Sequence, residues 1–324
     1  MPRGRQSRYT FRVTSPAATN DTWTTRRLLA WMSEAFTKAE LDSPRLCAEL
    51  LVSHVIGCDR LKLYTDADRP ASPLERGTLR DLVGRALKHE PVQYLVGEAW
   101  FFGLPYHVDR SVLIPRPATE TIIEQVLQHA RAEPGFGGKT GEGVRFVDVC
   151  AGSGCIAISL LRQMPKATAI ATDISPEALV TAAKNAQRHK VDDRLEIIDG
   201  DLLAPLLDHA DGHNFHFIVA NPPYIPDHEW DLPGFVWRNV REYEPHLALR
   251  AGADGLQYIR PLIGQAAEGD RLRDGGLLII EAAASTAAAV AELFESVGQF
   301  ERIRIAKDHE GLERVVIGAK KSHG

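Results

Sequence analysis

Apolar residues recur at helical spacing through the first quarter of the chain. Leu28, Leu29, Met32 and Phe36 fall on one face of a helix. Ser43-Pro44 opens a second helix, because serine caps free amides and proline suits the first helical position. Leu46, Leu50, Leu51 and Val55 give it an apolar face, and Gly57 is placed to end it. Ser72-Pro73-Leu74-Glu75 starts a third helix, with Glu75 completing a capping box and Leu79, Leu82, Val83 and Ala86 as its face. Residues 22–96 therefore predict a small helical-bundle domain. Over 97–119 the pattern changes: Gly97, Gly103 and Pro105 punctuate short aromatic and β-branched runs, which predicts a hairpin. The stiff Leu113-Ile114-Pro115-Arg116-Pro117 follows as a linker.

The remainder, 120–324, reads as one α/β domain. A helix covers Glu120 to Arg131, and the glycine-rich stretch from Gly135 to Gly143 reads as a flexible link. Strand-like runs then come at Val144–Val149, Ala167–Thr172, Leu195–Ile198, Phe215–Ala220 and Leu277–Glu281. Helical runs at Cys155–Gln163, Pro176–His189, Gly255–Ala267 and Ser285–Val297 separate most of them. Glu301–Ala306 and Arg314–Gly318 finish the chain, close enough in sequence for one to run antiparallel. Alternating β and α predicts a doubly wound, Rossmann-like parallel sheet.

Composition narrows the function classes. The 324 residues are 44% apolar and 25% charged, an ordinary globular balance. A net charge of −5 offers no overall attraction to a nucleic-acid backbone, so no direct nucleic-acid binding is expected. No apolar run reaches the roughly 18 residues of a membrane helix. Met1 to Thr10 is basic and polar, lacks the apolar core of an export signal, and reads as a disordered lead-in. Cys47, Cys58, Cys150 and Cys155 form no C-x-x-C pair, as expected of reduced thiols in a cytoplasmic protein. Cys150 and Cys155 lack the further ligands and closer spacing of a metal site, so none is expected.

The first strand of the α/β domain runs into Cys150-Ala151-Gly152-Ser153-Gly154 and then directly into a helix. Glycines there let the backbone approach a ligand at the carboxyl edge of the sheet. Asp173 ends the second strand, 19 residues after Gly154, near the interval of about 20 at which an acid meets a ribose. Asp201 follows the third strand and can accept from an adenine amino group, with Leu202 packing on the ring. Gly152 to Ala157 formally fits a nicotinamide-nucleotide fingerprint. Asp148, four residues before Gly152, instead suits a cationic amino-acid moiety such as that of S-adenosylmethionine, and would repel a pyrophosphate.

Asn221-Pro222-Pro223-Tyr224 follows the fourth strand of this domain. The prolines fix the backbone past the sheet edge. The Asn221 side-chain carbonyl and the Pro222 backbone carbonyl are two acceptors that match the N–H bonds of a planar –NH₂ group, and Tyr224 can stack on its plane. An amide nitrogen is a poor nucleophile because its lone pair is delocalised. Holding both N–H bonds aims it at an electrophilic methyl. A carboxylate has no N–H to offer and is rejected.

With these motifs the chain resembles the HemK/PrmC family of release-factor glutamine methyltransferases. The likeness runs over roughly residues 22 to 319. It includes Glu90-Pro91, Gln93-Tyr94-Leu95, Gly97, Phe101 and Gly103. It continues through Val112 to Pro117 with Thr119-Glu120, then Glu244-Pro245 with Ala248-Leu249, and Gly252 to Leu256. Glu281, Asp308, Gly311 and Arg314-Val315-Val316 also fit. The resemblance implies a class I methyltransferase sheet, S-adenosylmethionine bound by Gly152, Gly154, Asp173 and Leu202, and a glutamine amide received at Asn221. It implies a Gly-Gly-Gln release factor as protein partner, docked by the helical domain. Ala118 stands where the family usually has Asp or Glu, and Cys150 where glycine is commoner. Glu281-Ala282-Ala283 lacks the usual glycine two residues after the acid. A sister family acting on a large-subunit ribosomal protein, a nucleic-acid amino methyltransferase, a non-catalytic recruiter of translation factors and a nicotinamide oxidoreductase are the rival readings. Arg116 is open to two roles, clamping a partner or pairing with Glu120.

Overall fold

The computed structural model describes residues 22–322. The basic lead-in at Met1 to Thr10 lies outside them. The chain forms two compact units, with the boundary between Leu87 and Lys88.

The first unit is helical: α1 (Thr25–Lys38), α2 (Pro44–Ile56), the short α3 (Lys62–Thr65) and α4 (Pro73–Ala86). Thr24 caps α1 by accepting from the Arg27 amide, and Leu28, Met32 and Phe36 are buried along one stripe. In α4 the Ser72–Glu75 capping box is complete. Arg69 also pairs with Glu75, and that bond first, with the capping amide, pulls the carboxyl down to about 2. Two expectations for α2 are corrected. Ser43 is left-handed, at φ 48°, and makes no capping bond; its hydroxyl donates to Asp42 instead. The buried stripe is Ala48, Leu51 and Val52, with Leu46 exposed. The stripe turns because buried Glu49 needs Arg45, Arg60 and Tyr64 around it. Burial works against the Glu49 charge, and those three partners overcome it.

The second unit begins with α5 (Val92–Val96) and the antiparallel hairpin β1 (Glu98–Phe101) and β2 (Leu104–His107). Then come α6 (Glu120–Ala132), β3 (Arg145–Val149), α7 (Cys155–Gln163), β4 (Thr168–Asp173), α8 (Pro176–His189), β5 (Leu195–Asp199) and β6 (Phe215–Ala220). After β6 follow two short helices, α9 (Asp227–Asp231) and α10 (Arg238–Tyr243), then α11 (Ile259–Ala267), β7 (Leu272–Glu281), α12 (Ala287–Val297), β8 (Phe300–Lys307) and β9 (Glu313–Lys320). The seven-stranded sheet has the order β5-β4-β3-β6-β7-β9-β8. The pairs from β5 through β7 are parallel, and β9 runs antiparallel between β7 and β8.

The central strands are buried on both faces and mostly apolar, as in β6, whereas the edge strands β5 and β8 keep exposed polar positions. Phe146, Phe217, Val219 and Ile279 face α6 and α7, while Val147, Ile218, Ile280 and Val316 face α11 and α12. Expected boundaries shift at β7 and α11. β7 starts at Leu272, ahead of a register irregularity opposite Phe215–Phe217, where Gly276 lies against the Phe215 carbonyl. α11 starts at Ile259, because Gly255 is left-handed at φ 76°. Within the 135–143 link Phe136 inserts between His129, His216 and Phe217, while most of the stretch stays exposed.

The order β4-β3-β6 contains the chain's reversal: it winds outward from β3 to β5, then returns to lay β6 on the other side of β3. Open α/β sheets bind ligands in the crevice that such a switch creates at the strands' carboxyl ends. In register, Thr172, Val149 and Ala220 lie side by side. The next residues along each strand, Asp173, Cys150 and Asn221, therefore leave the sheet in one row.

Candidate active site

The turn after β3 is built by alternating left-handed residues, with Cys150 at φ 59°, Gly152 at 54° and Gly154 at 76°. The Ala151 amide donates to the Thr172 carbonyl at 3.0 Å, which ties the turn to β4. A Cβ on Gly152 would meet nothing within 4 Å, so this backbone faces open space. Gly154 does something else: a Cβ there would lie 3.0 Å from Ile158 Cδ1 and 3.3 Å from Ala182 Cβ, so it serves close packing of α7 and α8. Ser153 is buried, and its carbonyl accepts from Asn185, which also clasps His107 of the hairpin.

Asp148 is not at the pocket wall. It is fully buried behind the turn, where Oδ2 accepts from the Ala157 amide at 2.9 Å. Gly154 has no side chain with which to cap α7, and Asp148 supplies that cap from β3. Its Oδ1 has no partner among the described residues, and burial pushes its pKa up to about 7.

Asp173 does reach the pocket. Its Oδ2 accepts from the Gly152 amide at 2.8 Å and its Oδ1 from the Ser175 amide at 2.9 Å. Burial raises its pKa and these amides oppose the rise. Each oxygen keeps a lone pair for a further donor. Cys150 lines the same pocket, where burial first, with the neighbouring carboxylates, keeps it a neutral thiol.

One cleft of about 950 Å³, its solvent-open mouth included, collects these pieces. Its lining residues all belong to the second unit. Cys150, Ala151, Gly152, Ser153, Asp173, Asp201 and Leu202 form its floor and one side. Asn221 and Pro223 enter from the other side, while Gly154, Asp148, Pro222 and Tyr224 do not line it. Site reasoning from the sequence left out further parts of the wall, among them Ile174 and Ser175, Arg116 and Thr119, and Leu247 and Ala248. Ile174 could have been found as an apolar residue directly after a strand-tip acid; it is 49% exposed.

The Asn221–Tyr224 loop is braced from below. Ile225 bridges the 249–251 backbone in both directions. Gly255 comes so close that a Cβ would lie 2.7 Å from the Tyr224 carbonyl oxygen. The Tyr224 ring does not line the cleft; its hydroxyl donates to buried Glu281 at 3.2 Å. Asn221 Nδ2 donates to Thr119 Oγ1 at 3.0 Å. Arg116 pairs with buried Glu244, which also accepts from the Ile114 amide, so of its two readings the ion pair holds but with a different acid. Glu120 instead accepts from the Phe102 amide. His228 and His246 do not line the cleft.

The comparisons agree with this architecture. A PrmC N-terminal domain model matches residues 27–97 and a methyltransferase small domain model matches 137–248. The release factor glutamine methyltransferase of Chlorobaculum tepidum is 38% identical over 90% of this chain and 96% of its own length. That of Geobacter sulfurreducens is 38% identical over 91% and 96%. The chain belongs to the release factor glutamine methyltransferase family. It carries a methyltransferase domain, and its sheet is the class I methyltransferase sheet. The N-terminal domain of human METTL16, solved with SAH, shares the fold at 17% identity and a TM-score of 0.51, over 79% of this chain and 86% of that one. Among the described residues no helix is long and apolar enough to cross a membrane.

Proposed function

We propose that this chain transfers a methyl group from S-adenosylmethionine to the side-chain amide nitrogen of a glutamine, the Gly-Gly-Gln glutamine of a peptide chain release factor, in the cytoplasm. The observation that carries the reading is a single cleft holding the Gly152 turn and Asp173 on one side and Asn221 on the other. The residues fit the cofactor: open space over Gly152 admits its close approach, and Asp173 retains acceptor capacity for ribose hydroxyls. Leu202 and Ile174 offer apolar surface to the adenine, and Asp201 an acceptor for its amino group. When bound, S-adenosylmethionine supplies an electrophilic methyl.

The chain's own residues do the rest. Asn221 Oδ1, at the cleft wall, accepts an N–H bond of the glutamine amide, which orients its nitrogen and favours charge gathering there. The prolines hold this acceptor rigid, so little reorganisation is needed. The nitrogen sheds one proton to water as it becomes the methylated amide. The reading gives the helical unit the task of docking the release factor. Exposed Trp31, Leu61 and Leu74 on that unit support this role.

The test incubates purified chain with methyl-labelled S-adenosylmethionine, an unmodified release factor and a cell lysate. One methyl on the Gly-Gly-Gln glutamine, absent from a Gly-Gly-Glu variant, is the expected result. Label confined to a ribosomal protein or to nuclease-sensitive material overturns the proposal.

A further inference from the structure

Thr119 and Glu281 lie outside the residues that hold a glutamine amide, yet both stand directly behind Asn221. Thr119 is 2% exposed and Glu281 is fully buried at the carboxyl end of β7. Tyr224 donates to Glu281 Oε1 at 3.2 Å, and Glu281 Oε2 has no partner among the described residues. Burial raises the Glu281 pKa, and the Thr119 and Tyr224 hydroxyls, with Arg314 and Arg116, oppose that rise by favouring its charged form.

An ionised carboxylate only accepts, so both neighbouring hydroxyls turn their protons toward it. Thr119 has one proton. Once that proton is given to Glu281, its oxygen has only lone pairs left for Asn221. The group 3.0 Å away must therefore be the Asn221 –NH₂ and not its carbonyl. The two ends of an asparagine amide are nearly equal in shape, and the hydrogen-bond network alone decides between them. With –NH₂ turned inward, Oδ1 faces away from Thr119, and no described residue donates to it.

From this chain of acceptors we infer that Thr119 and Glu281 are positioning residues that set substrate choice by fixing the direction of the Asn221 amide. Carbonyl outward, Asn221 takes an amide N–H and repels a carboxylate. Flipped, it would offer N–H groups and welcome glutamate. This rests on the glutamine reading above and assigns that selectivity to a lock behind the loop.

The experiment compares wild type with Thr119→Val, which keeps shape and removes the hydroxyl, Thr119→Ser, which restores it, and Glu281→Gln, whose amide can donate. Thr119→Val should lower kcat on release factor by about ten- to a hundredfold, the scale for losing one preorganised polar contact. KM for S-adenosylmethionine should stay unchanged. A Gly-Gly-Glu release factor should compete about tenfold better. Thr119→Ser should recover rate and discrimination, and Glu281→Gln should lose part of the discrimination. A purely structural role would not move the Gln-to-Glu preference. An unchanged preference in Thr119→Val, or failure of Thr119→Ser to recover it, overturns the inference.

A second arm needs no substrate. With ¹⁵N-asparagine labelling, the Asn221 side-chain amide protons, identified by their absence in Asn221→Asp, should exchange slowly in wild type and rapidly in Thr119→Val. Equal exchange overturns the lock. If wild type methylates no release factor while the exchange difference holds, the substrate reading fails and the lock stands.

Discussion

Gly255→Ala tests whether the Asn221–Tyr224 loop is held by contact from below. Gly255 sits at φ 76°, where a side chain costs about 1–2 kcal/mol. Its Cβ would lie 2.7 Å from the Tyr224 carbonyl oxygen and 3.0 Å from Pro226 Cγ. A comfortable carbon–oxygen approach is about 3.3 Å, so the loop or its brace must give way by about 0.6 Å. Overpacking of this kind costs about 1–3 kcal/mol more. The sum, about 3 kcal/mol, should lower Tm by roughly 6–12 °C in a unit of this size. Displacing a positioning loop by a sizeable fraction of an ångström should also reduce kcat by up to about a hundredfold. Gly298→Ala is the control. It is left-handed at φ 74° with nothing within 4 Å of its added Cβ, so it carries the conformational cost without the collision. It should lose only the conformational share, roughly 2–8 °C for about 1–2 kcal/mol, and no activity. The assays are thermal unfolding, calorimetric binding of S-adenosylmethionine and methyl transfer. If both alanine variants lose the same stability and Gly255→Ala keeps its rate, the brace argument is wrong.

Other substitutions probe other parts of the site. Asp148 is raised to about 7 by burial, above its ordinary 3.8. Its contribution to stability is thus full below about pH 4 and fades as pH rises through 7. Asp148→Asn should therefore gain in Tm relative to wild type on going from pH 4.5 to 8, and a pH-independent difference would refute this. Asp173→Asn cannot accept from both Gly152 and Ser175 amides, and should weaken S-adenosylmethionine binding by at least about tenfold in calorimetry. Arg116→Ala strands the fully buried Glu244 carboxylate and should cost about 3–5 kcal/mol in urea unfolding. Glu244→Ala frees a guanidinium that is already one-third exposed, so it should cost less; the reverse ranking would contradict the burial argument.

What was legible in the sequence was mostly local. The central strands, β6 above all, announce themselves as near-continuous apolar runs because they are covered on both faces, while β8 at the edge reads by alternation. The Ser72–Glu75 capping box and the Gly57 stop are readable because their partners lie within four residues. Several failures share a cause, a partner far away in the chain. Arg116 finds Glu244 across 128 residues, although Glu120 stood one helical turn away. Thr119 meets Asn221 across 102. The face of α2 turned because Glu49 is buried among Arg60 and Tyr64, which no periodicity of apolar residues registers. Asp148 read as a ligand residue because a carboxylate four residues before Gly152 suits a cationic amino-acid moiety; its use as a cap for α7 depended on Gly154 having no side chain to do the same. The candidate site was legible as motifs, but its division of labour was not. Gly152 faces the cleft, whereas Gly154 only makes room for Ile158 and Ala182.

The register of the sheet explains how two such different binding tasks meet in one cleft. Val149 pairs with Thr172 on one side and Ala220 on the other. Adjacent strands lie about 4.8 Å apart, so Asp173, Cys150 and Asn221 start about one strand spacing from each other along the edge. The cofactor side and the amide side are thus measured out by the backbone ladder, and a slip of one residue in either pair would turn its strand's side chains to the opposite face. Each side has its own support. Asp173 rests on the Gly152 turn and the start of α8, while Asn221 rests on Thr119, Glu281 and the Gly255 brace. Because the supports share no residue, a fault in one should leave the other largely intact. Asp173→Asn should damage cofactor affinity with the Gln-to-Glu preference preserved, and Thr119→Val should do the opposite. Loss of both properties in either variant would mean that the cleft responds as one body and that the division drawn along β3 does not exist.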